Sequence, residues 1–463
     1  MLWNRPIVGM AAFLLLTTAV AASCDAQRAT LDRIMHVDTL PNGMQLIVLE
    51  NHTVPIVTAE IVFRAGAMTQ TESERGVPHL FEHMLFKDYR GSMGESFAAD
   101  AAQAHAAYNG ATSDEDVSYY LAVPSAMTDN ALTVLSRLVR SPNFNDADLA
   151  NERLVVLNEA QRDASDPRFH LQRETDKRLW GAGFVRKDAI GDAQALMGVT
   201  TPVLRDIFER YYVPNNAALI VAGDVAAPRV LAMARKHFAS WAQQPDPFAS
   251  HPVGDIPPLD SSRATVVTAN VTTVTIEMEW QGPSVRTDPR GAYAGSVLSE
   301  ILDDERSAFQ SRLVDSGLFQ AAVMSYQTRA HVGPIMFYGV TTPQKLATAL
   351  TVLATEFTYM DARDYFSPTQ IASATRRRTV ESVLALEDAH SLALNLGDTW
   401  AVAGTDYFRN YSENVATTSG SDLHAYIERY VFHRPFAITA LVAPDQSAET
   451  VTLLREFLGM VTQ

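Results

Sequence analysis

Two stretches decide the fold: "LRDIFERYYVPNNAALIVAGD", residues 204–224, and "LHAYIERYVFHRPFAITALVAPD", residues 423–445. Leu204, Glu209, Arg210 and Tyr211 return as Leu423, Glu428, Arg429 and Tyr430, all at one constant offset. In both stretches a helical pattern leads into an apolar, strand-like run that ends in a turn with Asp. A helix and a strand repeated in one order at half the chain length point to two homologous domains. Between the halves, residues 242–262 hold five prolines and read as a linker. The expected division is therefore 28–245, a linker at 246–262, and 263–463.

Working outward, strand and helix signals mix without the rhythm of a parallel sheet, which predicts an α+β fold with mostly antiparallel sheets packed against helices. Residues 40–65 read as a hairpin: a Pro-Asn-Gly turn, the alternation Met44, Leu46, Val48, then a second alternating run from Val54 to Phe63. Helices are expected at Val77–Phe86, Ser125–Leu138 and Asn145–Ala164, and a strand at Asp116–Val123.

The chain of 463 residues is too long for one ordinary core. Its 47% hydrophobic and 19% charged content is that of a globular protein, and a formal charge of -16 argues against nucleic acid as a partner. Residues 1–24 differ from the rest. One basic residue (Arg5), an apolar run from Ile7 to Leu16 and small residues to Ser23 have the layout of a secretory signal peptide. Export to the periplasm is the expectation. Cys24, the only cysteine, cannot form an intrachain disulfide. "AASC" is similar to a bacterial lipobox, so a lipid anchor on Cys24 is one expected fate, and cleavage after Ala21 or Ala22 the other.

The chemistry concentrates in "GVPHLFEHMLFKDY", residues 76–89. On a helix, His79 and His83 share a face and can direct two ring nitrogens at one metal ion. Glu82 points from nearly the same face and can take a proton from water there. Zn²⁺ suits such ligands. A third ligand is needed, and "DLANERLVVLNEAQRD" offers Glu152 and Glu159, two turns apart on one face. Leu154, Val155, Val156 and Leu157 are expected to bury this helix. One glutamate can ligate while the other orients a ligand or the water.

These motifs resemble those of the M16 peptidases, the pitrilysin and insulinase-like family with the inverted zinc motif HxxEH. The resemblance runs from about Leu40 to the C-terminus, through "LPNGMQLIVLE", "RAGAMTQTESERGVPHLFEHMLFK", "NGATSDEDVSYY", "ERLVVLNEAQ" and "YYVPNNAALIVAGDV". It implies that Glu159, spaced from His83 as the family's distal glutamate is, serves as the third zinc ligand, with Glu152 its supporting acid. Glu82 is implied as the base that activates water. Asn109 matches a family Asn-Ala-x-Thr stretch in which Gly110 here replaces the alanine, and the strand Ser118–Val123 is expected to be the edge that takes up a peptide as an extra strand.

The family also carries, in its C-terminal-type domain, an Arg and a Tyr seven residues later that hold the substrate. Here Arg312 is present, but Phe319 stands at the second place and Tyr326 lies too far along. The chain is thus expected to form half of a clamshell chamber. Its expected partner is an M16-like sister chain bearing Arg and Tyr, in a heterodimer, with a homodimer as the alternative. The implied activity is a zinc metalloendopeptidase cutting peptides or short unfolded segments. The competing class is a non-catalytic M16-like binding or assembly subunit.

Overall fold

The structure is a computed structural model that describes residues 28–87 and 96–461. The signal-peptide and Cys24 readings lie outside these residues. Two sheets organise the chain. The first runs β1 (Met35–Thr39), β2 (Gln45–Glu50), β3 (Ile56–Phe63), β4 (Ala107–Thr112), β5 (Val117–Pro124) and β6 (Ala217–Gly223), in the spatial order β1-β2-β6-β3-β5-β4. The second holds β7 (Arg263–Thr268), β8 (Val274–Gln281), β9 (Ala321–Tyr326), β10 (Pro334–Thr341) and β11 (Phe436–Val442), ordered β7-β11-β8-β10-β9. Without β1 the two orders match strand for strand. In each sheet only one pair is parallel, β2–β6 and β7–β11.

The helices that matter below are α1 (Val77–Leu85), α2 (Thr128–Arg140), α3 (Asp146–Asp163), α4 (Pro167–Trp180), α5 (Thr201–Tyr211), α6 (Pro289–Asp303), α7 (Leu346–Met360), α8 (Pro368–Leu384), α9 (Ala389–Val402) and α10 (Gly420–Tyr430). The offset of the sequence echo also carries the bounds of α5 onto those of α10, and the bounds of β6 onto those of β11. The α+β class and the doubling of the fold stand as expected.

The expected hairpin does not form. β6 lies between β2 and β3 and pairs with both. All seven residues of β6 are buried, so the strand takes the centre of the sheet, where every backbone group finds a partner. The true hairpin is β1–β2, closed at Gly43 (φ +86), where the Gly43 N–H donates to the Leu40 carbonyl at 2.8 Å.

One face of each sheet packs against helices of its own half, around Leu80, Phe81, Leu132 and Leu135 in the first and Val297, Leu298, Leu350 and Leu353 in the second. The opposite faces are covered crosswise. α9, from the second half, lays Leu392, Leu396 and Trp400 on Ile47, Val62 and Ile220 of the first sheet. α4, from the first half, runs along β8 and β11 of the second. Neither sheet is covered on both faces without the other half. Polar contacts close the seam: Asp114 meets Arg329 at 2.6 Å, and Lys187, paired with Asp114 at 2.8 Å, donates to the Val332 carbonyl at 2.8 Å. Glu115 accepts the backbone N–H groups of Ala330 and His331 at 2.5 and 3.0 Å. No helix among the described residues is long and apolar enough to cross a membrane.

Candidate metal centre

The HLFEH helix is set by its start. Gly76, at φ +82, turns the chain into α1, and a Cβ there would lie 2.7 Å from the Ile190 carbonyl oxygen. Pro78 in the first turn suits a helix start, where its missing N–H has no partner to lose. Val77, Leu80, Phe81, Met84 and Leu85 are buried, and the Phe81 ring lies 4.3 Å from that of Tyr212 and 5.2 Å from that of Phe144. That packing fixes the helix about its axis and leaves His79, Glu82 and His83 on the side facing α3 and β4.

α3 begins at Asn145, whose side chain accepts the Asp148 N–H at 2.9 Å. It buries Leu149, Glu152 and Val156, one helical face, toward the core. Leu154 and Val155, expected to bury the helix, are instead 58% and 46% exposed. The phase of the helix turns Leu154 off the buried face, Val155 stands one turn from both Glu152 and Glu159 at the open side of that face, and only Val156 of that run is fully buried.

His79, His83 and Glu159 each offer one donor atom, and these lie within 4.8 Å of one another. His79 Nε2 and His83 Nε2 lie 3.9 and 3.5 Å from Glu159 Oε2. Ligands on a tetrahedral zinc stand about 3.3 Å apart, so small side-chain adjustments suffice. Glu152 faces the other nitrogen, with Oε2 3.4 Å from His83 Nδ1, while its Oε1 meets Lys87 Nζ at 2.6 Å. A carboxylate on the far nitrogen of a ligating histidine fixes its tautomer. His79 Nδ1 is buried without a partner. The donor set thus fits zinc: two imidazoles and a carboxylate converge, and among the described residues no Lys or Arg pairs with Glu159.

Glu82 is buried beside this cluster. Burial pushes its carboxyl above the usual range, only partly offset by the hydrogen bond from Thr112 Oγ1 at 2.9 Å. Burial, then the neighbouring His83, lowers the His79 imidazole.

The parts played by Gly110 and Thr112 escaped the sequence reading. The two alternate on β4 and so present the same side to α1. A Cβ on Gly110 would come within 2.7 Å of Glu82 Oε1, so the strand crosses the glutamate only because no side chain intervenes. The period-2 spacing of "NGAT" was the available signal. The edge expectation needs correcting. Ser118–Val123 belongs to β5, which is flanked by β3 and β4; the edge strand is β4, whose exposed Asn109 pairs in register with Tyr120. In the second half, Arg312 makes a 2.7 Å ion pair with the buried Glu356 and lies 4.8 Å from the Tyr359 ring. None of these partners belongs to the His79 cluster. Phe319 is buried in the core of that half.

Residues 46–183 match the insulinase (peptidase family M16) domain, and residues 198–374 match the domain described as the peptidase M16 inactive domain. The chain belongs to the M16 peptidase family. The zinc protease PqqE of Helicobacter pylori is 25% identical over 333 residues, covering 70% of this chain and 72% of that one. Among solved structures, a protease from Helicobacter pylori superposes with a TM-score of 0.78 at 19% identity, over 88% of this chain and 99% of the other. The periplasmic protease PqqL of Escherichia coli superposes with a TM-score of 0.73 at 16% identity, over 92% of this M16 chain but 50% of its own length. At these identities the structural likeness speaks to the fold. The named zinc proteases among the M16 relatives support a peptidase role.

Proposed function

We propose that this M16 chain is a zinc metallopeptidase subunit acting on peptides or short unfolded segments. The observation that carries the reading is the convergence of His79, His83 and Glu159 beside the buried carboxylate of Glu82. His79, His83 and Glu159 would hold the ion, with Glu152 orienting His83 through Nδ1. When bound, zinc supplies Lewis acidity, lowering the pKa of water to about 7 and polarising a carbonyl. Glu82 takes the proton of the attacking water on its carboxylate and returns it to the leaving amine. Thr112 holds Oε2 of Glu82, which leaves Oε1 to receive that proton. Peptide would add along β4, the exposed edge, with Asn109 beside it.

The test is Glu82→Gln, which keeps the shape and removes the base. Hydrolysis of an unfolded peptide should fall about 10²–10⁴-fold with zinc still bound. Activity within threefold of wild type would remove Glu82 from the reaction.

The partner is proposed to be a sister M16 chain that carries the Arg and Tyr this chain lacks together, since Phe319 has no hydroxyl to donate. Export to the periplasm, with or without a lipid on Cys24, is part of the same proposal. Co-expression with such a chain should raise peptidase activity well above that of the single chain; full activity from the purified single chain would overturn the heterodimer.

A further inference from the structure

A second cluster of metal-binding type lies far along the chain from α1. Asp361 directly follows α7, while His424 and Glu428 stand one turn apart on one face of α10. Each offers one donor atom, and the three lie within 4.8 Å of one another. His424 Nδ1 is 4.0 Å from Asp361 Oδ1, and His424 Nε2 is 3.5 Å from Glu428 Oε1. Asp361 Oδ1 and His424 Nδ1 are both shut off from solvent, and neither has a hydrogen-bond partner. Among the described residues, no Lys or Arg pairs with either carboxylate.

A carboxylate at the C-terminal end of a long helix such as α7 faces the negative end of the helix dipole, which disfavours it unless positive charge stands near. The repeat shows what supplies that charge in the other half. Carried back by the offset of the repeat, His424 falls on Arg205, whose guanidinium reaches the Phe144 carbonyl past the end of α2 at 3.4 Å. The second half has exchanged this fixed cation for an imidazole and placed Asp361 opposite it.

We propose that Asp361, His424 and Glu428 form a second zinc site that ties the end of α7 to α10. One imidazole and two carboxylates suit zinc better than the harder calcium or magnesium, which prefer all-oxygen shells. Glu428 is 59% exposed and gives the ion a way in from solvent. The site is built wholly from elements of the second half and serves to stiffen that half.

Zinc retained by the full chain after equilibration with excess Zn²⁺ and gel filtration tests this. Wild type should keep two equivalents, His83→Ala one, His424→Ala one, and the double variant none. In the His83→Ala background, zinc should still raise Tm, and Asp361→Asn should abolish that rise without changing the metal-free Tm. The site is overturned if the His83→Ala chain binds no zinc, or if it keeps its equivalent after His424→Ala or Asp361→Asn. Because His83→Ala removes the first cluster, failure of this site and failure of the proposed peptidase centre read out separately.

Discussion

α1 and α6 hold the same place in the two repeats, but their surroundings differ. The interval that separates β2 from β7 and β3 from β8 carries His79, Glu82 and His83 onto Val297, Glu300 and Ile301. Only the glutamate is kept, and it is engaged. Arg377 on α8, the helix in the place of α3, pairs with Glu300 and with Asp304 at 2.7 Å, and Arg378 Nε lies 3.4 Å from Glu300. In the first half, α3 brings two more carboxylates, and among the described residues no Lys or Arg pairs with Glu159. Where the second half satisfies its buried charge with arginine, the first leaves donors converging on a space. One architecture gives a closed ion-pair network or an open ligand set, according to whether the facing helix carries Arg or Glu.

The largest effect should come from making the first half resemble the second. Glu159→Arg places a cation against His79 and His83, and zinc binding and peptide hydrolysis should both be lost, while circular dichroism stays that of the wild type. Zinc retention by this variant would break the comparison. Gly110→Ala comes next. Its methyl must displace Glu82, so kcat should fall by about 10²-fold, the scale of a misplacement of about 1 Å, with zinc content unchanged. A loss of zinc with the activity would mean that β4 supports the ligands and not the base. Glu152→Ala should weaken zinc affinity about 10–100-fold by freeing His83 Nδ1, measured by competition with a chelator. In the second half, Glu300→Gln should leave hydrolysis unchanged but lower stability by about 1 kcal/mol, since Arg377 is partly exposed and keeps Asp304 as a partner. Denaturant unfolding measures it, and a loss of activity instead would tie α6 to the chemistry.

Much of this contrast was legible before the structure. The residues 79, 82, 83, 152 and 159 are spaced so that helical periodicity alone brings them to common faces, and α1 and α3 meet along those faces. The repeat was legible because α5–β6 and α10–β11 keep both length and order. What stayed hidden was pairing across long separations. The insertion of β6 between β2 and β3 depends on which strand is buried on both faces, and the run 217–223 is too short to announce that by periodicity. The burial of Leu154 and Val155 was misjudged because apolar identity was read without helical phase. The crosswise covering by α4 and α9 had no signature at all, as each helix buries one stripe whichever sheet receives it. Asp361 and His424 went unnoticed because their meeting depends on the packing of α7 against the rest of its half.

The crosswise helices also set the smallest expected effect. Each brings an acid to the buried face of the sheet it covers: Asp398 from α9 lies near Asp116 and Glu60, and Asp176 from α4 lies near Glu277 and Glu279. Burial, and then Asp398, pushes the Asp116 carboxyl up to about 7; burial pushes Asp176 to about 7, and burial with Asp176 pushes Glu277 to about 8. In the unfolded chain these groups titrate near 4. Between those values the native state holds protons that the unfolded state has released, so stability falls as pH rises from about 4 to 8. Asp398→Asn and Asp176→Asn remove part of that slope, since burial raises the Asp398 carboxyl as well. Each should raise Tm at pH 8, by about 2 °C for each kcal/mol regained, and leave Tm at pH 4.5 nearly unchanged. The repeat adds a constraint on the pair. Asp398 and Asp176 stand at the same position of α9 and α4, counted from the first residue of each helix. The two substitutions should therefore act alike and add, because they lie on opposite sheets. A gain confined to one of them would show that the two crosswise helices, though placed alike, do not carry the same electrostatic load.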